Sequence, residues 1–106
     1  MLISAIGVEA KEYNFTLVND TGMDIYAIYV SPNKEEDYGE DILGLDIIAN
    51  GENADIQFDR EIDVCKWDLM IENENGDDYI WEEIDLCKFS KVTLHYKDGK
   101  ATPTFE

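Results

Sequence analysis

Six carboxylates crowd into the twelve residues from Glu35 to Asp46: Glu35, Glu36, Asp37, Glu40, Asp41 and Asp46. Gly39 and Gly44 interrupt the run and free backbone carbonyls beside it. Calcium takes about six to eight oxygen ligands at roughly 2.3–2.6 Å, and an irregular acidic loop can supply them. Asp37, Glu40, Asp41 and Asp46 are therefore candidate calcium ligands, and calcium the one candidate cofactor. EF-hand spacing is absent, so the same composition also describes a plain solvated loop. A second acidic string, Glu72 to Asp78, fails as a calcium loop because Ile71 occupies the first ligand position and no Glu stands at the twelfth.

Catalytic chemistry has few candidates. Glu82 and Glu83 are adjacent, and neighbouring strand residues point to opposite faces, so they do not form an acid–base pair. His95 is the single histidine, which removes any Cys/His zinc cluster. It has no Ser or Cys elbow nearby and reads as a partnerless residue on a strand's polar face. The chain is read as not an enzyme. Asn14-Phe15-Thr16 and Asn19-Asp20-Thr21 match the glycosylation sequon, a pattern that arises often by chance.

Cys65 and Cys87 bracket the stretch CKWDLMIENENGDDYIWEEIDLC, in which two apolar-rich runs meet at Asn75-Gly76. Asn-Gly between such runs is a strong hairpin signal, because both residues tolerate the positive φ of a tight turn. A three-residue loop of Asn75, Gly76 and Asp77 would set the cysteines directly opposite each other. They are a structural disulfide or two buried thiols, and the opposed positions favour the disulfide. Parity argues the other way. Cys65 shares a face with Trp67, Leu69 and Ile71, whereas Cys87 has the opposite parity to Ile80, Ile84 and Leu86. A β-bulge near Ile84 or Asp85 would reconcile the two.

Tyr26, Tyr38, Tyr79, Trp81 and Tyr96 exceed what one inward face requires. Tyr79 and Trp81 share a face opposite Ile80, which makes them either core residues or an exposed protein- or sugar-contact patch.

These residues sit on a chain of short strands. Tyr13, Phe15 and Leu17 alternate on one face, and Asn19–Gly22 is a turn. Met23 to Val30 is apolar on both faces, as expected of a central strand, and Ser31-Pro32-Asn33 ends it. Residues 34–46 read as a loop with one helical turn, its Ile42, Leu43 and Leu45 pinned to the core. A short strand at Asp46–Ala49 and another at Ala54–Phe58 precede the cysteine hairpin. Val92 to Tyr96 then turns at Asp98-Gly99 into an edge strand near Thr102–Phe105, where Pro103 is tolerable. Seven or eight short strands without a long helix predict an all-β fold: an antiparallel two-sheet sandwich, Ig-like in general architecture, forming one domain over 11–106. A Trp between cysteines echoes the immunoglobulin core, but here both cysteines fall in one hairpin.

Eight basic residues against twenty-five acidic ones give a formal charge of −17. Such a surface repels nucleic-acid phosphates and anionic lipid, and favours cations or a basic protein surface. An apolar fraction of 44% is ordinary for a folded chain. Residues 1–10, MLISAIGVEA, read either as the end of a secretory signal segment with a small-residue cleavage site or as a first strand over 2–8. Ten residues are too short to span a membrane.

The string Phe15-x-Leu17-x-Asn19-x-Thr21-Gly22, then Tyr29-Val30-Ser31-Pro32 and Asp37-x-Gly39-x-Asp41-x-Leu43-Gly44, continues with Cys65-x-Trp67-Asp68-Leu69 and Asp85-Leu86-Cys87-Lys88. This pattern resembles a family of small, mostly secreted bacterial β-domain proteins without an established function, over about Tyr13 to Phe105. Relatives often carry Trp where Tyr38 stands. Some bear an argininosuccinate lyase label, which a chain this short and without that family's catalytic signature does not support. The resemblance implies secretion and a β-domain, and adds no activity. The sequence thus points to a secreted or periplasmic, non-catalytic binding or accessory domain, calcium-stabilised through its acidic loop. The alternative is a cytoplasmic acidic inhibitor or immunity-type protein that binds a basic partner.

Overall fold

The computed structural model describes residues 11–106 as seven strands in two sheets. They are β1 (Lys11–Asp20), β2 (Ile25–Pro32), β3 (Asn53–Arg60), β4 (Lys66–Asn73), β5 (Asp78–Asp85), β6 (Lys91–Lys97) and β7 (Lys100–Phe105). One sheet has the order β3-β1-β6-β7 and the other β2-β4-β5. The all-β sandwich expected from the sequence is the fold. One pairing departs from an antiparallel scheme: β1 and β6 run parallel at the centre of the larger sheet. Alternation along a strand marks its faces and not its neighbours, so no local signal announces that pair. Both readings of residues 1–10 fall outside the described residues.

Tyr13, Phe15 and Leu17 of β1, Ile56 and Phe58 of β3, and Val92 and Leu94 of β6 face Ile28, Val30, Trp67, Leu69, Ile71, Trp81 and Ile84 of the smaller sheet. At one end Tyr13 stacks on Phe58, and Trp67 meets both rings edge-on at 5.0 and 5.1 Å. At the other end the inward parity of β1 continues to Asn19, which is fully buried. Its amide donates to the Met23 and Ile48 carbonyls, and its oxygen accepts from the Thr21 N–H and hydroxyl. All four amide bonding positions are used, so the polar group is buried at little cost.

Several expectations need correction. Strand β2 is an edge strand, not a central one. Its outward residues Ala27 and Tyr29 lie beside Glu72 and Met70 of β4, and its free edge is covered by the connection to β3, which doubles back along it. The Ile42 N–H donates to the Ile28 carbonyl, Asp41 Oδ1 accepts from the Ile28 N–H, and Ile48 bridges Ile25. Backbone groups of the edge are thereby satisfied. The described residues of this connection contain no helical turn, and 46–49 forms only that one bridge. Ile42 and Leu43 pack on the core as expected, but Leu45 is fully exposed.

The β4–β5 hairpin forms, one residue out of the expected phase. Its loop is Glu74-Asn75-Gly76, closed by Gly76 N–H to Asn73 O and Asn73 N–H to Asp77 O, with Gly76 at φ 81°. The Asn73 side chain accepts from the Asn75 and Asp77 N–H groups and so holds the turn. The expected bulge exists, but at Glu82–Glu83. Trp67 pairs with Ile84 and Leu69 with Trp81, so Asp68 alone faces two residues, and Glu83 takes φ 58°. That extra residue turns Ile84 inward beside Trp81. It also brings Cys87 to Cys65, and the two form a disulfide with Cα atoms 5.1 Å apart. Both cysteines are exposed just beyond the strand ends, rather than inside apolar strand patterns. The β6–β7 hairpin turns at Asp98-Gly99 as predicted, both residues at positive φ, with β7 the sheet edge.

Asp68 holds the bulge. Buried at 3% exposure, its carboxylate accepts from the Glu83 N–H at 3.1 Å, Asn33 Nδ2 at 2.7 Å and the Lys34 N–H at 2.8 Å. Asp68→Asn should cost about 1.5–3 kcal/mol in chemical denaturation, because an amide cannot accept at both ends. Glu82→Gln removes the same charge from an exposed site, and its midpoint should stay close to that of the wild type. Reducing the disulfide, which closes a 22-residue separation, should cost roughly 3 kcal/mol in a melt with and without reductant.

Candidate functional site

The four candidate calcium ligands do not converge. Asp41 spends Oδ1 on the N–H groups of Ile28 and Leu43. Asp37 pairs with Arg60 at 3.1 Å, and that guanidinium also caps the Asp37 and Val30 carbonyls and lies over the Trp67 ring. Glu40 and Asp46 are exposed. Among the described residues, the single group of three potential ligand side chains within 4.8 Å is Cys65, Asp85 and Cys87, and its two sulfurs are already bonded to each other. Of the loop's acids, Asp41 caps backbone N–H groups and Asp37 braces the loop against Arg60.

Tyr79 and Trp81 are also spoken for. Trp81 is 1% exposed, and its indole N–H lies 3.1 Å from the carbonyls of both His95 and Thr102. It fastens β5 to the larger sheet. Tyr79 is half-buried edge-on against Tyr96, with ring centroids 4.8 Å apart. An exposed patch at this pair is excluded by that burial, and the reading of the two as core residues is the one that holds for Trp81.

His95 has partners that the sequence reading denied it. Nδ1 lies 2.9 Å from Asp20 Oδ2, and Nε2 lies 2.8 Å from Thr104 Oγ1. Carboxylate, imidazole and hydroxyl in line have the order of a hydrolase triad. The order alone does not catalyse: a triad also needs N–H donors aimed at a developing oxyanion. Thr104 stands on the edge strand β7, and the side chains of Asp20, His95 and Thr104 meet across three neighbouring strands. The trio is a polar clasp across β1, β6 and β7. It was unreadable in advance because Asp20 meets His95 only through the parallel β1–β6 register. Of the two sequons, Asn19 has its amide buried and fully bonded, and Asn14 is exposed with Nδ2 donating to Glu12.

The outer face of the β2–β4–β5 sheet is the most distinctive surface. Its register sets Tyr29, Met70 and Ile80 side by side in one row. Glu72 and Asp78 flank the row on one side, and Asp68 with Glu82 on the other. Residues 33–38 fold over the second flank, anchored by Asp68 and by Asp37 N–H to Ser31 Oγ at 2.8 Å. What remains is an open groove of about 550 Å³, lined by Lys34, Glu36, Tyr38, Asp68, Ile80 and Glu82. Ile80 is 45% exposed within it.

No protein-family model matches this chain, and no curated protein does. Among solved structures, the NMR structure of a protein from Eubacterium rectale is similar, with a TM-score of 0.52 and 14% identity over 96% of this chain and 93% of that one. At that identity the likeness speaks to the fold alone.

The phenols on this face report its charge. Burial raises the Tyr29 pKa above 10.0, followed by the charge of Glu72, a hydrogen bond to Glu72, and the charges of Asp41 and Asp78. Burial raises that of Tyr38, followed by the charges of Asp68, Glu82 and Glu36. The folded state therefore holds these protons more tightly than the unfolded chain. Their contribution to stability is complete below the ordinary phenol range and is lost as pH rises through the folded values. A spectrophotometric titration should show three of the six tyrosines ionising late, Tyr79 together with Tyr29 and Tyr38, and Glu72→Gln should bring Tyr29 forward. A thermal melt in calcium should match one in magnesium at equal ionic strength. A calcium-specific rise of several degrees would restore the acidic loop as a metal site.

Proposed function

We propose that this chain is a small extracytoplasmic binding domain without catalytic activity, which works through the outer face of the β2–β4–β5 sheet. The observation that carries the reading is the outward row of Tyr29, Met70 and Ile80, half-buried at Tyr29 and Met70, exposed at Ile80, and framed by carboxylates. An exposed aliphatic and aromatic strip with a polar frame is the usual makeup of a contact surface. The exposed Cys65–Cys87 bond supports an oxidising compartment, because thiols at such positions stay reduced in a cytosol. Every buried side-chain nitrogen and oxygen among the described residues has a hydrogen-bond partner, so the interior holds no polar group in reserve for chemistry. No helix among the described residues is long and apolar enough to cross a membrane.

A second reading rests on the formal charge of −17: an acidic inhibitor or immunity-type protein acting in the cytoplasm against a basic partner. Compartment separates the two. Cells carrying the gene under its own signals would be treated with a thiol-reactive polymer before lysis and then fractionated. The expected result is protein outside the cytoplasm that gains mass only after reduction. Protein recovered from the cytoplasm with both thiols reactive would overturn the first reading in favour of the second.

A further inference from the structure

We infer that the groove between residues 34–38 and strand β5 is a docking site for a lysine- or arginine-bearing segment of a partner protein. This rests on the binding-domain reading above and names the chemistry of its partner. Three features converge there. The floor is apolar: Ile80 is 45% exposed, and Met70 pairs beside it. One wall carries Tyr38 and Glu36, the other Glu82, and the space between measures about 550 Å³. That volume suits an extended side chain with its aliphatic stem.

The charge on the walls selects the ligand. Glu36 and Glu82 are exposed and form no ion pair among the described residues, whereas Asp68 beneath them is committed to three N–H donors. Lys34 is the one basic lining group, so the walls remain negative by count: three carboxylates against one ammonium. The pKa of Tyr38 is raised by burial first and then by the charges of Asp68, Glu82 and Glu36. A neutral phenol ring also offers a face to a cation. A lysine or arginine meets all three features at once, stem on Ile80 and Met70, charge between Glu36 and Glu82, flank against Tyr38. A neutral apolar segment would desolvate both glutamates without compensation, and an anionic one would meet repulsion. The excess negative charge of the whole chain would steer a cationic segment inward.

The experiment must separate this groove from generic attraction to an acidic protein. The intact, oxidised chain would be titrated with a hexa-arginine peptide at about 150 mM salt, where exposed charges are screened beyond roughly 8 Å, and followed by amide NMR. Hexa-citrulline, its neutral isostere, is the control. Shifts are expected to localise to 34–38, Asp68, Met70 and Ile80 to Glu82, and to be absent with citrulline. The E36Q/E82Q double variant, altered only at exposed side chains, should weaken binding tenfold or more, and Ile80→Ser severalfold. The E12Q/D55N variant removes equal charge from the other sheet and should change affinity less than twofold. Shifts spread over both sheets, equal losses in the two double variants, or no binding of hexa-arginine would each overturn the inference. Those results leave the compartment measurement untouched, so a failed groove and a failed binding-domain reading are told apart.

Discussion

The buried carboxylate of Asp68 is the constraint on which the smaller sheet depends. A charged group at 3% exposure is tolerable only when its oxygens are fully used, and here three N–H donors converge on them. One donor comes from the bulge in β5, and two from the turn that follows β2. The same carboxylate therefore fixes a register shift in one edge strand and the exit path of the other. Without the extra residue at Glu82–Glu83, Ile84 would point to solvent and Cys87 would miss its partner. The disulfide thus ties off a geometry that the bulge has already set.

The connection from β2 to β3 follows from that anchor. Once Asn33 and Lys34 are held on Asp68, the chain is directed back along β2, where Ile28 and Ile25 offer unpaired backbone groups. Arg60 pins the return by reaching the Asp37 carbonyl and carboxylate from β3. The exposed ion pair itself is worth little. Its guanidinium also lies against Trp67 and caps the Val30 carbonyl, and these contacts tie the strap to both sheets. An acidic run that resembles a cation site is, in the folded molecule, a cover for a sheet edge.

Patterns that depend on near neighbours were legible in the sequence. Alternation at Tyr13, Phe15 and Leu17, the Asn-Gly and Asp-Gly turns, the sandwich class and the bulged cysteine hairpin all follow from local geometry. The parity conflict between Cys65 and Cys87 even announced the bulge, misplaced by one or two residues, because the turn phase was also off by one. Features created by distant pairing were not legible. The edge position of β2 and the Asp20–His95–Thr104 clasp depend on which strands adjoin, and composition does not encode that. The candidate site was illegible for the same reason: closeness in sequence does not fix closeness in space, and the outer face of the smaller sheet is assembled from three strands and a strap.

The two faces of the smaller sheet answer to different demands. Its inner face, with Trp67, Leu69, Ile71, Trp81 and Ile84, is fixed by packing, where a single truncation costs about 2–5 kcal/mol. Its outer face takes its shape from Asp68, which lies beneath the surface, while the groups presented to solvent are Glu36, Ile80 and Glu82. Exposed positions of that kind tolerate substitution within about 0.5 kcal/mol. The form of the groove is therefore held by one residue that cannot change, and its chemistry by several that can. A fold arranged this way keeps its surface geometry while the lining is altered side chain by side chain.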